Sequence, residues 1–294
     1  MQINKHGSFY IRNGWPTKII DALSIDKQIF SPNKELEAVD TIGVGRVMIK
    51  AMRYWASVSG IAIEKKGQQG VFHELTPLGL FIKNYDLYCM DKGTLWLLHR
   101  NISRNMEMAT AWYWAFNEFD SLTFSKSEFS SAFYSYLQSH GESYNKNTVE
   151  KEFDCFKNTY VSEQEFSLAK ILDENTIPFF APLALLESKG GGVFEKRKSP
   201  AKDIPVYILL ACIIMDNAEH LASNRQINID HLLSDSNQVC KYMMLNYSSL
   251  IELLQKLENE RYLRLINNFG SRYIELNDTK VEDLLGYHYR VNGG

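Results

Sequence analysis

The sequence predicts a mainly α protein with small β-hairpins, built from two or three winged-helix-like units packed together. Apolar residues recur at three- and four-residue steps over long segments, which is typical of amphipathic helices. Short apolar strands that flank glycine-containing turns follow several of these helices. A chain of 294 residues has room for more than one compact core. We expect domains at residues 1–122, 123–204 and 205–294.

The composition is that of a globular protein, with 45% hydrophobic and 13% aromatic residues. The net charge is −3, so any nucleic-acid binding must come from local basic patches. None of the four cysteines pairs with another at CxxC spacing, which argues against a zinc knuckle. The apolar run 206–215 is about half the length that a membrane helix needs. We therefore expect a cytoplasmic protein with no membrane partner.

The lead-in segment, residues 1–42, supplies apolar anchors and short helices, with Pro16 in the first turn of one of them. His6, Tyr10 and Arg12 precede any core pattern in this segment. Polar groups at such places have no evident packing role, so the three residues are candidates for catalysis.

Residues 43–79 carry the strongest functional signal. Val44, Met48, Ala51, Trp55 and Val58 follow helical spacing and predict a buried stripe. Three cations, Arg46, Lys50 and Arg53, follow the same spacing on the other side of that helix. A helix with a core face and a cationic face has the build of a DNA recognition helix.

A basic hairpin follows this helix. Residues 61–63 and 71–75 predict two strands, and the loop between them contains Lys65, Lys66 and two glycines. Thr76 and Pro77 then predict the cap and first turn of a further helix. The hairpin would be the wing of a winged helix, with duplex DNA as the partner.

The aromatic helices between residues 91 and 119 leave two interpretations open. Trp96, Trp112 and Trp114 are most simply core residues, although a stacking platform for bases would use the same residue types. A helix pair at 125–160 comes next, and a hairpin at 183–198 has Gly190–Gly192 at its tip. That hairpin ends in Lys196, Arg197 and Lys198 and is interpreted as a second basic wing.

The last ninety residues repeat the order helix, helix, hairpin without repeating the sequence. The exposed face predicted for the helix at 247–261 holds Glu252, Gln255 and Asn259. Because this face is not cationic, this part of the chain would support the architecture or bind a protein.

Several pieces of the chain, in this order and spacing, resemble a bacterial family catalogued as a domain of unknown function, DUF4007. The pieces are His6–Phe9–Arg12–Trp15, Gly43-Val44-Gly45 leading into 46–55, Leu75-Thr76-Pro77-Leu78-Gly79, 91–94 leading into 95–99, and Ala111-Trp112-Tyr113 with Phe116-Asn117. Members of the family resemble the B component of the single-strand DNA phosphorothioation (Ssp) defence system. The resemblance implies a DNA-binding and DNA-nicking subunit. A partner ATPase and a sulfotransfer enzyme would then replace a non-bridging phosphate oxygen with sulfur.

The resemblance does not locate catalytic residues, so candidates come from chemistry. A hydrolytic nickase needs carboxylates that hold Mg²⁺ or Mn²⁺. Asp40 with 64–66 and Asp173 with 187–189 have the order of Asp…Glu-x-Lys arrangements. Glu64 and His73, beside the first wing, complete the catalytic candidates with His6, Tyr10 and Arg12. A solvated or structural role remains the alternative for each of them.

Three functions remain open at this stage. The first is a DNA-binding nickase of a phosphorothioation or anti-phage defence system. The second is a non-catalytic winged-helix adaptor or regulator that recruits modification enzymes to DNA. The third is a scaffold that docks a partner protein and never contacts DNA.

Overall fold

Helices make up most of the chain, and small antiparallel sheets accompany them, as the sequence predicts. The structure is a computed structural model that describes residues 1–68, 70–161, 178–268 and 270–292, with side chains to residue 290. Contacts divide it into two units. Unit 1 comprises Met1–Ala115 and Ser121–Lys196, and unit 2 comprises Phe116–Asp120 and Arg197–Gly294. The predicted division at 122 and 204 is a different partition of the chain and stays a prediction.

The first part of unit 1 contains a helical layer and a two-stranded hairpin. Its elements are α1 (Trp15–Ile25), α2 (Glu35–Ile42), α3 (Arg46–Val58), β1 (Ala62–Gly67), β2 (Gly70–Leu75), α4 (Pro77–Tyr85) and α5 (Lys92–Ser103). Gly43 ends α2 in the left-handed region, with φ of 72°, and turns the chain into α3. Strands β1 and β2 are antiparallel, with Ala62 opposite Leu75 and Gly67 opposite Gly70.

The second part of unit 1 pairs two helices with a three-stranded sheet. Its elements are β3 (Thr123–Ser125), α7 (Lys126–Ser139), α8 (Lys146–Tyr160), β4 (Leu186–Gly190) and β5 (Val193–Lys196), in the strand order β3-β5-β4. Ser125 and Glu128 form the predicted capping box of α7, and Asn145 caps α8. Helix α6 (Thr110–Asn117) precedes them in the chain.

Unit 2 repeats this arrangement of helices and a three-stranded sheet. Its helices are α9 (Val206–Asp216), α10 (Ala218–Leu221), α11 (Ile229–Ser234), α12 (Val239–Tyr242), α13 (Tyr247–Asn259) and α14 (Val281–Asn292). Its strands are β6 (Gln226–Asn228), β7 (Leu263–Asn268) and β8 (Ser271–Leu276), in the order β6-β8-β7. The predicted C-terminal hairpin is therefore β7–β8.

Tryptophans form the centre of unit 1. Trp15, Trp55, Trp96 and Trp112 are each at most 1% exposed, and Trp114 is 4% exposed. The rings of Trp55 and Trp112 meet edge to face at 5.3 Å. The core interpretation of the aromatic helices is confirmed, because rings enclosed to this degree offer no surface for stacking bases.

The buried stripe of α3 differs from the predicted one at its N-terminal end. Ala51, Trp55 and Val58 are buried as predicted, whereas Val44 and Met48 are only half-buried. Ile49 and Met52 take their places in the core. The helix begins at the surface, directly after the turn at Gly43, so its first turn presents less of its apolar side to the core.

The junction of the hairpin and α4 explains the Leu75–Gly79 motif. The Thr76 hydroxyl accepts a hydrogen bond from the Gly79 amide at 3.0 Å and donates one to the Gly60 carbonyl at 2.5 Å. A Cβ at Gly79 would lie only 2.1 Å from the Ile61 carbonyl oxygen. Threonine therefore caps the helix, and glycine lets the helix approach the start of the hairpin.

No helix in the described part of the chain combines the length and apolar character needed to cross a lipid bilayer.

Candidate nucleic-acid interface

Arg46, Lys50 and Arg53 form what we call the α3 cationic face. The Arg46 and Lys50 side chains are 58% and 67% exposed, and that of Arg53 is 30% exposed. Arg46 Nε and Lys50 Nζ both lie 3.4 Å from the same atom, Glu35 Oε1. The structure therefore places these two cations side by side and accessible to solvent.

Two carboxylates partly neutralise this face. Glu35, at the start of α2, contacts Arg46 and Lys50 without satisfying a hydrogen bond at Oε1. Glu64, in β1, accepts a hydrogen bond at Oε2 from Arg53 Nε at 2.8 Å, and Arg53 Nη2 forms an ion pair with the same oxygen at 2.6 Å. Three cations against two carboxylates leave a net positive charge, and the pairing holds the cations in place.

The two lysines of the first hairpin differ in their surroundings. Lys65 Nζ lies 2.5 Å from Glu74 Oε2, while Lys27 binds the other oxygen of Glu74 at 2.9 Å. These two lysines lower the pKa of Glu74 to about 2. Lys66 is exposed and makes no ion pair within the described residues. Lys66 is thus the more available of the two predicted wing cations.

Glu64 and His73, two catalytic candidates, lie opposite each other in the β1–β2 ladder. Glu64 Oε2 lies 3.4 Å from His73 Nε2, so Arg53, Glu64 and His73 form one cluster. His73 is fully buried against the ring of Phe30, and its ring nitrogens make no hydrogen bond. Burial lowers the pKa of His73, and the Glu64 carboxylate partly opposes that shift. The imidazole is therefore neutral at pH 7.

His6 lies in a different environment, fully buried beneath α3. Its Nε2 is 3.0 Å from Glu152 Oε1, and its Nδ1 accepts the Ser8 amide at 3.1 Å. Since Nδ1 is an acceptor, the proton resides on Nε2, which donates to Glu152. The ring also stacks on Trp55 at 6.3 Å. These contacts link the N-terminal segment to α8, so His6 has a structural role in this arrangement.

Tyr10 and Arg12 do not join either cluster. The Arg12 guanidinium lies 5.5 Å from the Tyr10 ring centroid and 5.8 Å from that of Trp15, within the range of cation–π contacts. Arg12 also pairs with Pro178 through an isolated β-bridge. These contacts hold the lead-in segment against its own aromatic residues.

The second predicted basic wing requires a correction. The β4–β5 hairpin exists, and Gly190–Gly192 at its tip all have positive φ. Lys196, however, lies at the opposite end of β5, is 4% exposed and donates to the Ala115 carbonyl at 2.8 Å. It is therefore a buried structural lysine and cannot contact DNA. Arg197 and Lys198 are exposed, and their role in binding stays a prediction.

A cleft of 630 Å³ opens beside the α3 cationic face. Its lining combines apolar and charged side chains from unit 1. The apolar part includes Phe30, Ile49, Tyr54 and Met108, and the charged part is Lys5, Glu35, Lys50, Arg53 and Glu64. We call this feature the α3 cleft. It joins the predicted cationic face to the Glu64–His73 cluster.

The described residues contain no group of three or more His, Cys, Asp and Glu side chains placed to hold a metal ion. Glu64 is occupied by Arg53 rather than joined to further carboxylates. Asp173, part of one predicted triplet, lies outside the described residues. The described residues thus hold no preformed cluster of ligands for Mg²⁺ or Mn²⁺.

Sequence reasoning missed the carboxylates that accompany the cations. The sequence predicts only that Glu35 lies in the first turn of a helix, where acidic residues are common. Its contact with α3 depends on the packing of α2 against that helix. Lys196 had a clearer signal, because it stands two residues after Phe194 in a strand and so shares its buried face.

Comparison with known proteins identifies the family. The model of the family described as "Protein of unknown function (DUF4007)" matches residues 3–289. The chain belongs to this family. This match confirms the DUF4007 resemblance predicted from the sequence, and it extends over nearly the whole chain.

Solved structures share the fold of this DUF4007 chain. A magnesium ion-bound crystal structure of SspB superposes with a TM-score of 0.83 and 20% identity, covering 98% of this chain and 88% of that chain. A second SspB crystal structure gives a TM-score of 0.82 with the same identity and coverage. Among curated proteins, no match was found. At 20% identity the likeness shows a common fold.

Proposed function

We propose that this DUF4007 chain binds duplex DNA with the α3 cationic face and serves a single-strand DNA phosphorothioation system of the Ssp type. The observation that carries the proposal is the adjacent, solvent-accessible placement of Arg46 and Lys50 on α3. Val47, 54% exposed, lies between them in the chain and offers an apolar contact for a thymine methyl group. Phosphate and base contacts would thus come from one helix.

The element order supports a winged-helix mode of binding. Helices α2 and α3 precede the β1–β2 hairpin, in which Lys66 is exposed. The same order, two helices and then a hairpin, recurs in α7, α8, β4 and β5, and again in unit 2. In winged helices the second helix of the pair enters the major groove and the hairpin contacts the backbone. We assign these roles to α3 and to the hairpin with Lys66.

Nicking of one DNA strand is the further part of the proposal. It draws on the family resemblance and on the shared fold with the SspB structures. In this role the chain would open one strand so that a partner ATPase and a sulfotransfer enzyme can act on it. The cleavage would depend on Mg²⁺ or Mn²⁺. Among the catalytic candidates, we assign this role to Glu64, which contacts Arg53 of the α3 cationic face.

Binding is tested by fluorescence anisotropy of a labelled duplex over a series of salt concentrations. Arg46→Glu/Lys50→Glu is expected to weaken binding about tenfold or more and to reduce the salt slope by about two. The matched control is Lys256→Glu/Lys280→Glu, which reverses the same amount of charge at exposed lysines of unit 2. If the wild-type protein causes no anisotropy change at any salt concentration, DNA binding is contradicted and the scaffold function is supported. Binding that does not depend on salt would contradict the cationic interface.

Nicking is tested by relaxation of supercoiled plasmid with Mg²⁺ or Mn²⁺, with EDTA as the control. Open-circle product that EDTA abolishes, and that the Arg46/Lys50 variant does not form, supports the nickase. Salt-dependent binding by pure protein without open-circle product contradicts autonomous nicking. That result supports the adaptor that recruits modification enzymes.

A further inference from the structure

We propose that the α3 cleft receives a single unpaired base of the bound DNA, preferably one with an exocyclic amino group (cytosine, adenine or guanine) rather than thymine. The inference rests on the proposed DNA binding and adds a specific pocket and ligand to it. The volume of the α3 cleft, 630 Å³, falls within the range of about 300–1,000 Å³ that is usual for ligand pockets. It shares Lys50 and Arg53 with the DNA-binding face, so a base that leaves the helix there would reach it without leaving the protein surface.

The lining has the two properties that an unstacked base needs. Phe30, Ile49 and Tyr54 are at most 7% exposed, so they contribute only their edges to the apolar floor, and the half-buried Met108 contributes more. The Tyr54 hydroxyl donates to the Met108 carbonyl at 3.0 Å. The floor is therefore apolar and internally hydrogen-bonded rather than in need of water. Proteins that extrude a base hold it between such side chains and recognise its polar edge.

Two carboxylates supply hydrogen-bond acceptors for that edge. Glu35 contacts Arg46 and Lys50 through Oε1 at 3.4 Å, and Arg53 holds Glu64 through Oε2. The second oxygen of each, Glu35 Oε2 and Glu64 Oε1, accepts no hydrogen bond from the described residues. Carboxylates of this kind suit the exocyclic amino groups of cytosine, adenine and guanine, which thymine lacks.

Cations around the same opening suit the phosphates that flank an extruded nucleotide. Lys5 is exposed and makes no ion pair within the described residues, while Lys50 and Arg53 come from α3. Three cations and two carboxylates line the cleft, so the net charge favours a nucleotide over a neutral ligand. The α3 cleft therefore combines an apolar floor, carboxylate acceptors for amino groups and cations that can bind phosphates.

The test uses a short end-labelled duplex with 2-aminopurine opposite a mismatched base, because a weakly paired base costs less to extrude. Fluorescence of 2-aminopurine reports unstacking, and anisotropy of the end label reports binding in the same sample. Met108→Trp fills the cleft, and Met106→Trp is the matched control because Met106 does not line it. Ser57→Phe is a second filling variant, used if Met108→Trp lowers the melting temperature.

At saturation, wild-type protein and Met106→Trp should raise 2-aminopurine fluorescence at least about threefold, and the filled variant should not. Unlabelled competitors with a mismatched cytosine or adenine should displace the probe better than one with thymine. Full anisotropy without the fluorescence rise, or an equal rise in the filled variants, overturns the base pocket and leaves DNA binding standing. A thymine competitor as good as cytosine overturns the assigned preference. Absence of the anisotropy change overturns this inference and the proposed function together.

Discussion

Arg53 holds Glu64 through two nitrogens, with Nε at 2.8 Å and Nη2 at 2.6 Å from the same carboxylate oxygen. One residue belongs to α3 and the other to β1, so the pair ties the proposed recognition helix to its hairpin. Both side chains are about one-third exposed, and such pairs contribute little net stability. The Arg53–Glu64 pair matters for position instead, because it holds a cation and a carboxylate at the edge of the α3 cleft.

Removal of the Glu35 charge should strengthen DNA binding. Glu35→Gln frees Arg46 and Lys50 from a carboxylate 3.4 Å away, so we expect about fivefold tighter binding, equivalent to about 1 kcal/mol. The slope of log affinity against log salt should become steeper. Glu37→Gln is the control, since Glu37 lies 3.5 Å from Lys34 and does not contact α3 cations. Equal affinities for the two variants would contradict the α3 interface.

The two wing lysines should contribute unequally to binding. Lys66→Ala is expected to reduce the salt slope by about one, as the loss of a phosphate contact does. Lys65→Ala should have a smaller effect, because Lys65 is already bound to Glu74. Anisotropy titrations of both variants at several salt concentrations decide the point. A larger loss for Lys65→Ala would mean that the hairpin meets DNA with its other face.

His73 should make stability depend on pH below neutrality. Its pKa is lowered in the folded state from the ordinary 6.5, mainly by burial, so the unfolded chain binds the proton more tightly. The contribution of neutral His73 is present above pH 6.5 and is lost as pH falls through its folded pKa. The melting temperature of His73→Phe should therefore rise relative to that of the wild type as pH is lowered from 7 to about 5.

Thermal melts of His73→Phe and wild type across that pH range provide the measurement. The same substitution at the exposed His140 serves as the control and should follow the wild-type pH dependence. If the melting temperatures of His73→Phe and wild type stay parallel, the buried imidazole is not the source of the pH dependence.

Gly79 should tolerate no side chain. Gly79→Ala places a Cβ 2.1 Å from the Ile61 carbonyl oxygen, and we expect a loss of about 3 kcal/mol in the free energy of unfolding. Gly45→Ala is the matched control, because a Cβ there meets no atom within 4 Å and its φ is −64°. Its cost should stay within about 1 kcal/mol. Denaturant unfolding of both variants measures the difference, and similar losses would contradict the proposed contact.

The sequence alone determined where most helices and hairpins lie. Helical spacing of apolar residues located α3, glycine-flanked strands located the β1–β2 and β7–β8 hairpins, and Thr76 with Pro77 marked the start of α4. These signals are local, because caps, turns and periodic burial are encoded within a few residues. The order of such pieces also sufficed to recognise the DUF4007 family.

Tertiary structure decided which charges meet. Glu35 reaches Arg46 and Lys50 only because α2 packs against α3, and Glu64 meets His73 only through the β1–β2 register. Lys196 became a buried donor to Ala115 because β5 is the central strand of its sheet and Lys196 lies on the same buried face as Phe194. Ion pairs and burial depend on distances between segments remote in sequence, and a charge by itself does not reveal the partner that packing brings to it.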